Sequence, residues 1–147
     1  MPFSISFLDE PVFYEEQTPM AVGELVLGDF RENFVASLYQ WNKIDYKAQW
    51  RDAIKTLLDS SKSALIVEYV SPEFSNKLEW WPMYRIENVV YIQNHLLFYE
   101  RLKKPFSLKN MFSFVKDRIT IAEDGNRISE WNVNLSDVED FARTLPI

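Results

Sequence analysis

Phe3, Ile5 and Phe7 alternate with Ser4 and Ser6, a period of two that predicts a half-buried strand. The Pro-marked, acidic stretch from Pro11 to Pro19 reads as a loop or a sheet edge. Val22 to Phe34 alternates in part, with Leu25 and Leu27 on one face and Glu24 and Val26 on the other. It predicts a strand that continues irregularly to Tyr39. The period then changes. In the run NKIDYKAQWRDAIKTLLDSS, Tyr46, Trp50, Ala53, Ile54, Leu57 and Leu58 fall on one helical stripe. A long helix over about 44–59 is predicted, with Asn42 or Asp45 as N-cap and Ser60 and Ser61 at its end.

Strand signals dominate the next third of the chain. Ala64 to Val70 is a β-branched and aromatic run closed by Ser71-Pro72. Leu78 to Ile86 carries Trp80, Trp81 and Tyr84, with Pro82 marking a bulge or an edge. Glu87-Asn88 is a hairpin turn without its usual glycine, followed by Val89 to Ile92. Leu96 to Tyr99 continues that strand or starts another. Ser107 to Val115 fits neither a helix nor a strand pattern clearly. Asp124-Gly125 is a standard turn signal before a strand over Ile128 to Val133. Ser136 and Glu139 have capping-box spacing and open a short helix over about 136–145, stopped by Pro146. The expected fold is therefore α+β: a single β-rich domain over 1–147 with a mainly antiparallel sheet, one long helix and a short C-terminal helix.

Composition supports that outline. Aromatic residues make up 16% of the 147, which favours pleated surfaces, and the chain is long enough for one full core. Only three glycines are present, so most hairpins must turn without one. There is no cysteine, hence no disulfide framework and no thiolate chemistry. The start MPFSISFLDE lacks a basic n-region and a long apolar run, and no stretch approaches the ~20 apolar residues of a membrane span. A cytoplasmic location is the expectation.

Charge changes the picture more. Asp9, Glu10, Glu15, Glu16, Glu24, Asp29 and Glu32 face only one early base, Arg31, and the rest of the chain balances to zero, so the N-terminal quarter holds the whole formal charge of −6. A one-sided acidic region attracts basic partners and speeds their association. It repels the phosphates that dominate nucleic-acid affinity. The same seven residues would also serve as a plain solvated face.

Little in the chain points to catalysis. It has no GxGxxG, P-loop, HExxH or GxSxG pattern, and His95 is its one histidine, which excludes histidine-rich metal sites. No catalytic residue, metal or cofactor is expected. Glu123-Asp124-Gly125 reads as a polar turn rather than a cation loop. Trp80 and Trp81 point to opposite faces of a strand, so one of them is expected at a surface, under a helix or in an interface.

Three segments together resemble one family. SLYQWNKIDYKAQW (37–50), SALIVEYVSPEFSNKLEWWPMYRIENVVYIQNHLLF (63–98) and DGNRISEW (124–131) are similar to a group of contact-dependent growth inhibition immunity proteins. The recurrent positions are Trp41, Asp45, Tyr46, Lys47 and Trp50; Trp81, Tyr84, Val90, Tyr91, Gln93 and Asn94; and Asp124, Gly125, Ile128, Ser129, Glu130 and Trp131. The resemblance implies a non-catalytic protein that binds and blocks the toxic C-terminal domain of a contact-delivered effector. In the group most resembled, that toxin is a nuclease acting on ribosomal RNA. Residues 1–36 resemble the family least, which places the seven acids where partner-specific variation is expected. Two other readings stand beside this one: a β-rich nucleic-acid- or ligand-binding domain using surface aromatics, and a small enzyme using His95.

Overall fold

The computed structural model describes residues 2–145. The strands form two antiparallel sheets. In the first, β3 (Thr18–Leu27) is central, β4 (Phe30–Ser37) lies along one side, and β1 (Phe3–Phe7) and β2 (Phe13–Glu15) share the other. In the second, β5 (Lys62–Glu68) pairs with β6 (Lys77–Ile86), whose other side is shared by β7 (Val89–Gln93) and β8 (His95–Phe98). β9 (Glu130–Asn134) completes this sheet beyond β7. Helix α1 (Lys43–Asp59) joins the two sheets, and α2 (Leu135–Ala142) ends the described chain. No helix among the described residues is long and apolar enough to cross a membrane.

The scarcity of glycine shows at the hairpins. Glu16 and Gln17 turn β2 into β3 with φ of 47° and 73°, and Glu87 turns β6 into β7 with φ of 55°. All three occupy the left-handed region that non-glycine residues rarely enter. Of the hairpins between these strands, the β3–β4 turn uses a glycine, Gly28 at φ 67°; Gly125 at φ 88° serves the turn between Ile121 and Arg127. Pro82 sits where β6 changes partner, after Trp80 pairs with His95 of β8 and before Met83 pairs with Ile92 of β7. A residue without an N–H is tolerated there, because that side of the ladder is interrupted. The segment Leu108–Phe114 consists of 3-10 turns broken at Asn110, the reason it matches neither periodic pattern.

α1 begins one residue before the predicted start. Asn42 is its N-cap, accepting from Asp45 N–H at 2.9 Å while Asp45 accepts from Asn42 N–H at 3.0 Å. At α2 the expectation fails. Its N-cap is Asn134 without a side-chain bond, and Ser136 already lies inside the helix, which ends at Ala142 rather than 145. β9 leads into it directly, and Leu135 N–H binds the Asn88 carbonyl, so pairing with the neighbouring turn starts the helix instead of a capping side chain.

The stripe on α1 packs against the first sheet, where Trp50 meets Phe7 and Phe34 at centroid distances of 5.0 and 5.9 Å. Its flank closes the free edge of β5. Gln49 donates to the Ala64 carbonyl at 2.8 Å and accepts from Ile66 N–H at 2.9 Å, and the Trp50 indole donates to the Ile66 carbonyl at 2.7 Å. Side chains thus stand in for a missing strand. One face of the second sheet meets the first, where Trp131 stacks on Phe30 at 4.5 Å and also touches Trp81. Its opposite face lies under residues 106–119, with Tyr84 Oη donating to Lys116 O at 2.9 Å and Gln93 to Ile119 O at 2.9 Å. Both faces are covered, so Trp80 and Trp81 are both buried at 1% exposure, and neither offers a stacking platform.

Candidate functional site

A row of carboxylates without ion-pair partners among the described residues lies where the two sheets meet. Glu15 and Glu16 end β2 and form its turn, while Glu32 is on β4 opposite Leu25, on the face that meets the second sheet. There it feels the charge of Glu79 of β6, which faces Glu68 of β5 across the strand pair; the charge pattern did not single out either of these two acids. Burial raises the Glu68 carboxyl above its ordinary 4.5, and repulsion by Glu79 adds to this; Lys77 opposes it, and Glu15 adds a still smaller repulsion. Burial raises Glu32 as well, again assisted by Glu79. None of Glu15, Glu16, Glu32, Glu68 and Glu79 has an ion-pair partner among the described residues. Like charges opposed across a ladder destabilise a sheet. The row is held in place by its scaffold rather than by mutual attraction.

Beside it runs an open trough of about 730 Å³ between Glu15, Glu16, Thr18, Ser37, Glu68 and Val70. The trough continues past Thr18, Ser37 and Val70 to Tyr39 and Phe74. These two rings meet edge to face at 5.6 Å and are 55% and 60% exposed, unusual for aromatics already in contact with each other. The wall is firmly tied. Gln40 donates to Ser71 Oγ at 2.8 Å and accepts from Ser71 N–H, and the buried Tyr46 hydroxyl donates to Ser37 O at 2.7 Å while accepting from Tyr69 N–H at 3.0 Å. Among the described residues no group of three or more His, Asp or Glu side chains is placed to hold a metal ion. A rigid trough with carboxylates on one flank and aromatic rings on the other suits a protein surface rich in Arg and Lys.

The other predicted acids lie apart from this row. Asp29 is in the β3–β4 turn, at the far end of β3 from Glu16 and so about 30 Å away at the rise of an extended strand. Glu24 points from the opposite face of the first sheet and is bound by Arg31 at 3.4 Å. Asp9 and Glu10 are exposed in the link between β1 and β2. His95 opens β8 half-buried, its Nε2 2.8 Å from Gln93 Oε1.

A model of the CdiI N-terminal domain matches residues 36–141. The chain belongs to the CdiI immunity protein family. It is 33% identical to the immunity protein CdiI of Enterobacter cloacae subsp. cloacae over 144 residues, 97% of this chain and 98% of that one. Among solved structures it resembles a chain of the CdiA-CT/CdiI toxin and immunity complex from Enterobacter cloacae, with a TM-score of 0.87, 33% identity and 97% of both chains covered. The CdiI family match starts at the end of β4, so it divides the five row acids: Glu15, Glu16 and Glu32 lie before the matched residues, while Glu68 and Glu79 lie within them.

Most positions that carried the resemblance are structural in this CdiI chain. Asp45 caps α1, and Tyr46 and Trp50 bond the backbone of β4 and β5. Trp81 is core. Gln93 and Glu130 form one network with Arg118, whose guanidinium binds both Glu130 carboxylate oxygens at 2.9 and 2.6 Å.

Proposed function

We propose that this CdiI protein binds the C-terminal toxin domain of a contact-dependent growth inhibition effector inside the producing cell and blocks it without catalysis. We further propose that this toxin is a basic nuclease acting on RNA, and that the carboxylate row and the trough beside it receive its cations. The observation that carries the reading is the row itself, five carboxylates without an ion-pair partner among the described residues, two of them, Glu32 and Glu68, pushed up by burial and by Glu79, next to two exposed aromatic rings. Family membership and the likeness to a toxin and immunity complex support an immunity role. A nuclease is expected to be basic where it meets phosphate, so an inhibitor with carboxylates there imitates the substrate's field. Asp9, Glu10, Glu24 and Asp29 extend this field and steer encounter, whereas Glu15, Glu16, Glu32, Glu68 and Glu79 make contact.

The test uses the toxin domain encoded immediately upstream of this protein. Co-expression should protect cells, and the two chains should co-purify. The double variant Glu15→Lys with Glu68→Lys should slow association about tenfold or more and flatten its salt dependence. Unchanged rate and affinity in that variant would remove the row from the interface. Absence of protection and of binding would remove the immunity reading altogether.

A further inference from the structure

A second charged region has the opposite sign. Residues 99–118 hold Arg101, Lys103, Lys104, Lys109, Lys116 and Arg118 against only Glu100 and Asp117. Arg118 is bound by Glu130 and Asp117 by Lys62, yet Arg101, Lys103, Lys104, Lys109 and Lys116 have no ion-pair partner among the described residues. Two of them rest on aromatic rings, Arg101 over Phe98 at 4.6 Å and Lys104 over Phe114 at 5.4 Å. Both rings line a small groove, with Arg101, Lys116 and His95 around it and the buried Trp80 and Pro82 below. No carboxylate lines this groove.

His95 is the informative group. The Gln93 amide nitrogen donates to Ile119 O and to Glu130, so its oxygen is the acceptor, and His95 Nε2–H donates to it at 2.8 Å. His95 Nδ1 is therefore the atom that takes up a proton. Burial and then the Lys116 charge lower the His95 pKa below its ordinary 6.5. The charged groups around the ring are Arg101 and Lys116 in the groove, Glu130 one bond behind Gln93, and Glu79 bonded to the neighbouring Asn94. Cations gathered without a counter-charge beside an apolar floor leave a local positive field at the mouth of the groove.

We infer that this groove binds one phosphate group, held by Arg101 and Lys116 and by a doubly protonated His95. Its volume of about 120 Å³ decides what enters. Sites for whole organic ligands run to about 300 Å³ and more, so only the phosphate fits, and any sugar and base stay outside. The phosphate comes from a free phosphate compound or from an RNA backbone, two sources with the same chemistry here. Lys103 and Lys109, exposed on the same segment, extend the positive surface that a longer backbone would follow. The inference stands on this groove alone and makes no use of the toxin.

His95 is the sole histidine, so its ring resonances are a direct reporter. The intact protein is titrated with inorganic pyrophosphate and, separately, with a short single-stranded RNA, and the His95 pKa is followed by NMR in each. A saturable shift and a raised His95 pKa with pyrophosphate identify a general phosphate site; the same response to RNA alone identifies the backbone as the source. The double variant Arg101→Ala with Lys116→Ala, both exposed through their side chains, should weaken binding about tenfold or more. Lys116→Glu provides a second, independent reversal of the field. No saturable response to either probe, or one that persists undiminished in these variants, overturns the inference. Toxin binding should be unchanged in the same variants, so the two functions fail separately.

Discussion

Glu130 and Glu68 lie in the same sheet, and their environments are opposite. Burial acts to raise Glu130, but hydrogen bonds from Arg118 and Gln93 and the Arg118 charge outweigh it and hold the carboxyl below its ordinary 4.5. Glu68 has burial and the repulsion of Glu79, which the nearby Lys77 charge does not outweigh, and is raised. A carboxylate that works for the fold is given its cation within the chain. One that is left to repel its neighbours costs stability, and such a cost persists where a partner supplies the missing charge.

The comparison can be broken most forcefully from the Glu130 side. Arg118→Ala leaves the Glu130 carboxylate half-buried without its bidentate partner and should cost about 2 kcal/mol, read by urea unfolding at neutral pH. Since the folded Glu130 value lies below the unfolded one, its stabilisation is present above about pH 4.5 and is lost as pH falls through the folded value. Acid unfolding of Arg118→Ala should therefore show a weaker pH dependence than the parent.

Glu68→Gln should do the reverse. Its folded value lies above 4.5, so the parent has this contribution below the unfolded value and loses it as pH rises through the folded one. Removing the charge at neutral pH should stabilise the protein by about 0.5 kcal/mol while weakening the toxin complex. A stabilised variant with undiminished binding would make Glu68 a mere defect of the sheet. By the same sign, affinity for the toxin domain should climb as pH rises above 4.5 through the Glu32 and Glu68 titrations and then level off. The smallest effect on stability is expected from Tyr39→Ala and Phe74→Ala. These exposed rings should change unfolding by no more than about 0.5 kcal/mol each, yet slow or weaken toxin binding if they are its aromatic anchors.

Periodicity made the elements legible because burial here follows regular faces. α1, β5, β6 and β7 were all readable from their stripes and runs, and the sequence narrows the α1 cap to Asn42 or Asp45, of which Asn42 is the N-cap. The failures have specific causes. The capping-box spacing at Ser136 is satisfied in sequence but overridden by pairing with Asn88. For Trp80 and Trp81 the alternation leaves one of them at a surface, under a helix or in an interface, because nothing local reveals that the segment after β8 folds back over the second face and buries both. Part of the acidic site was visible, since Glu15, Glu16 and Glu32 belong to an uneven charge distribution. Glu68 and Glu79 were not, because each sits in a locally balanced segment and joins the row only through strand pairing. The basic segment 99–118 was hidden by averaging, as acids elsewhere in the chain cancel it.

The bonds that Gln49 and Trp50 make to β5 have a consequence for protein quality in the cell. An open strand edge is a template on which copies can polymerise, and this one is occupied by a helix that also belongs to the core. To expose it, α1 would have to leave both sheets at once, which is close to unfolding the molecule. The protein can thus accumulate without seeding aggregates at that edge.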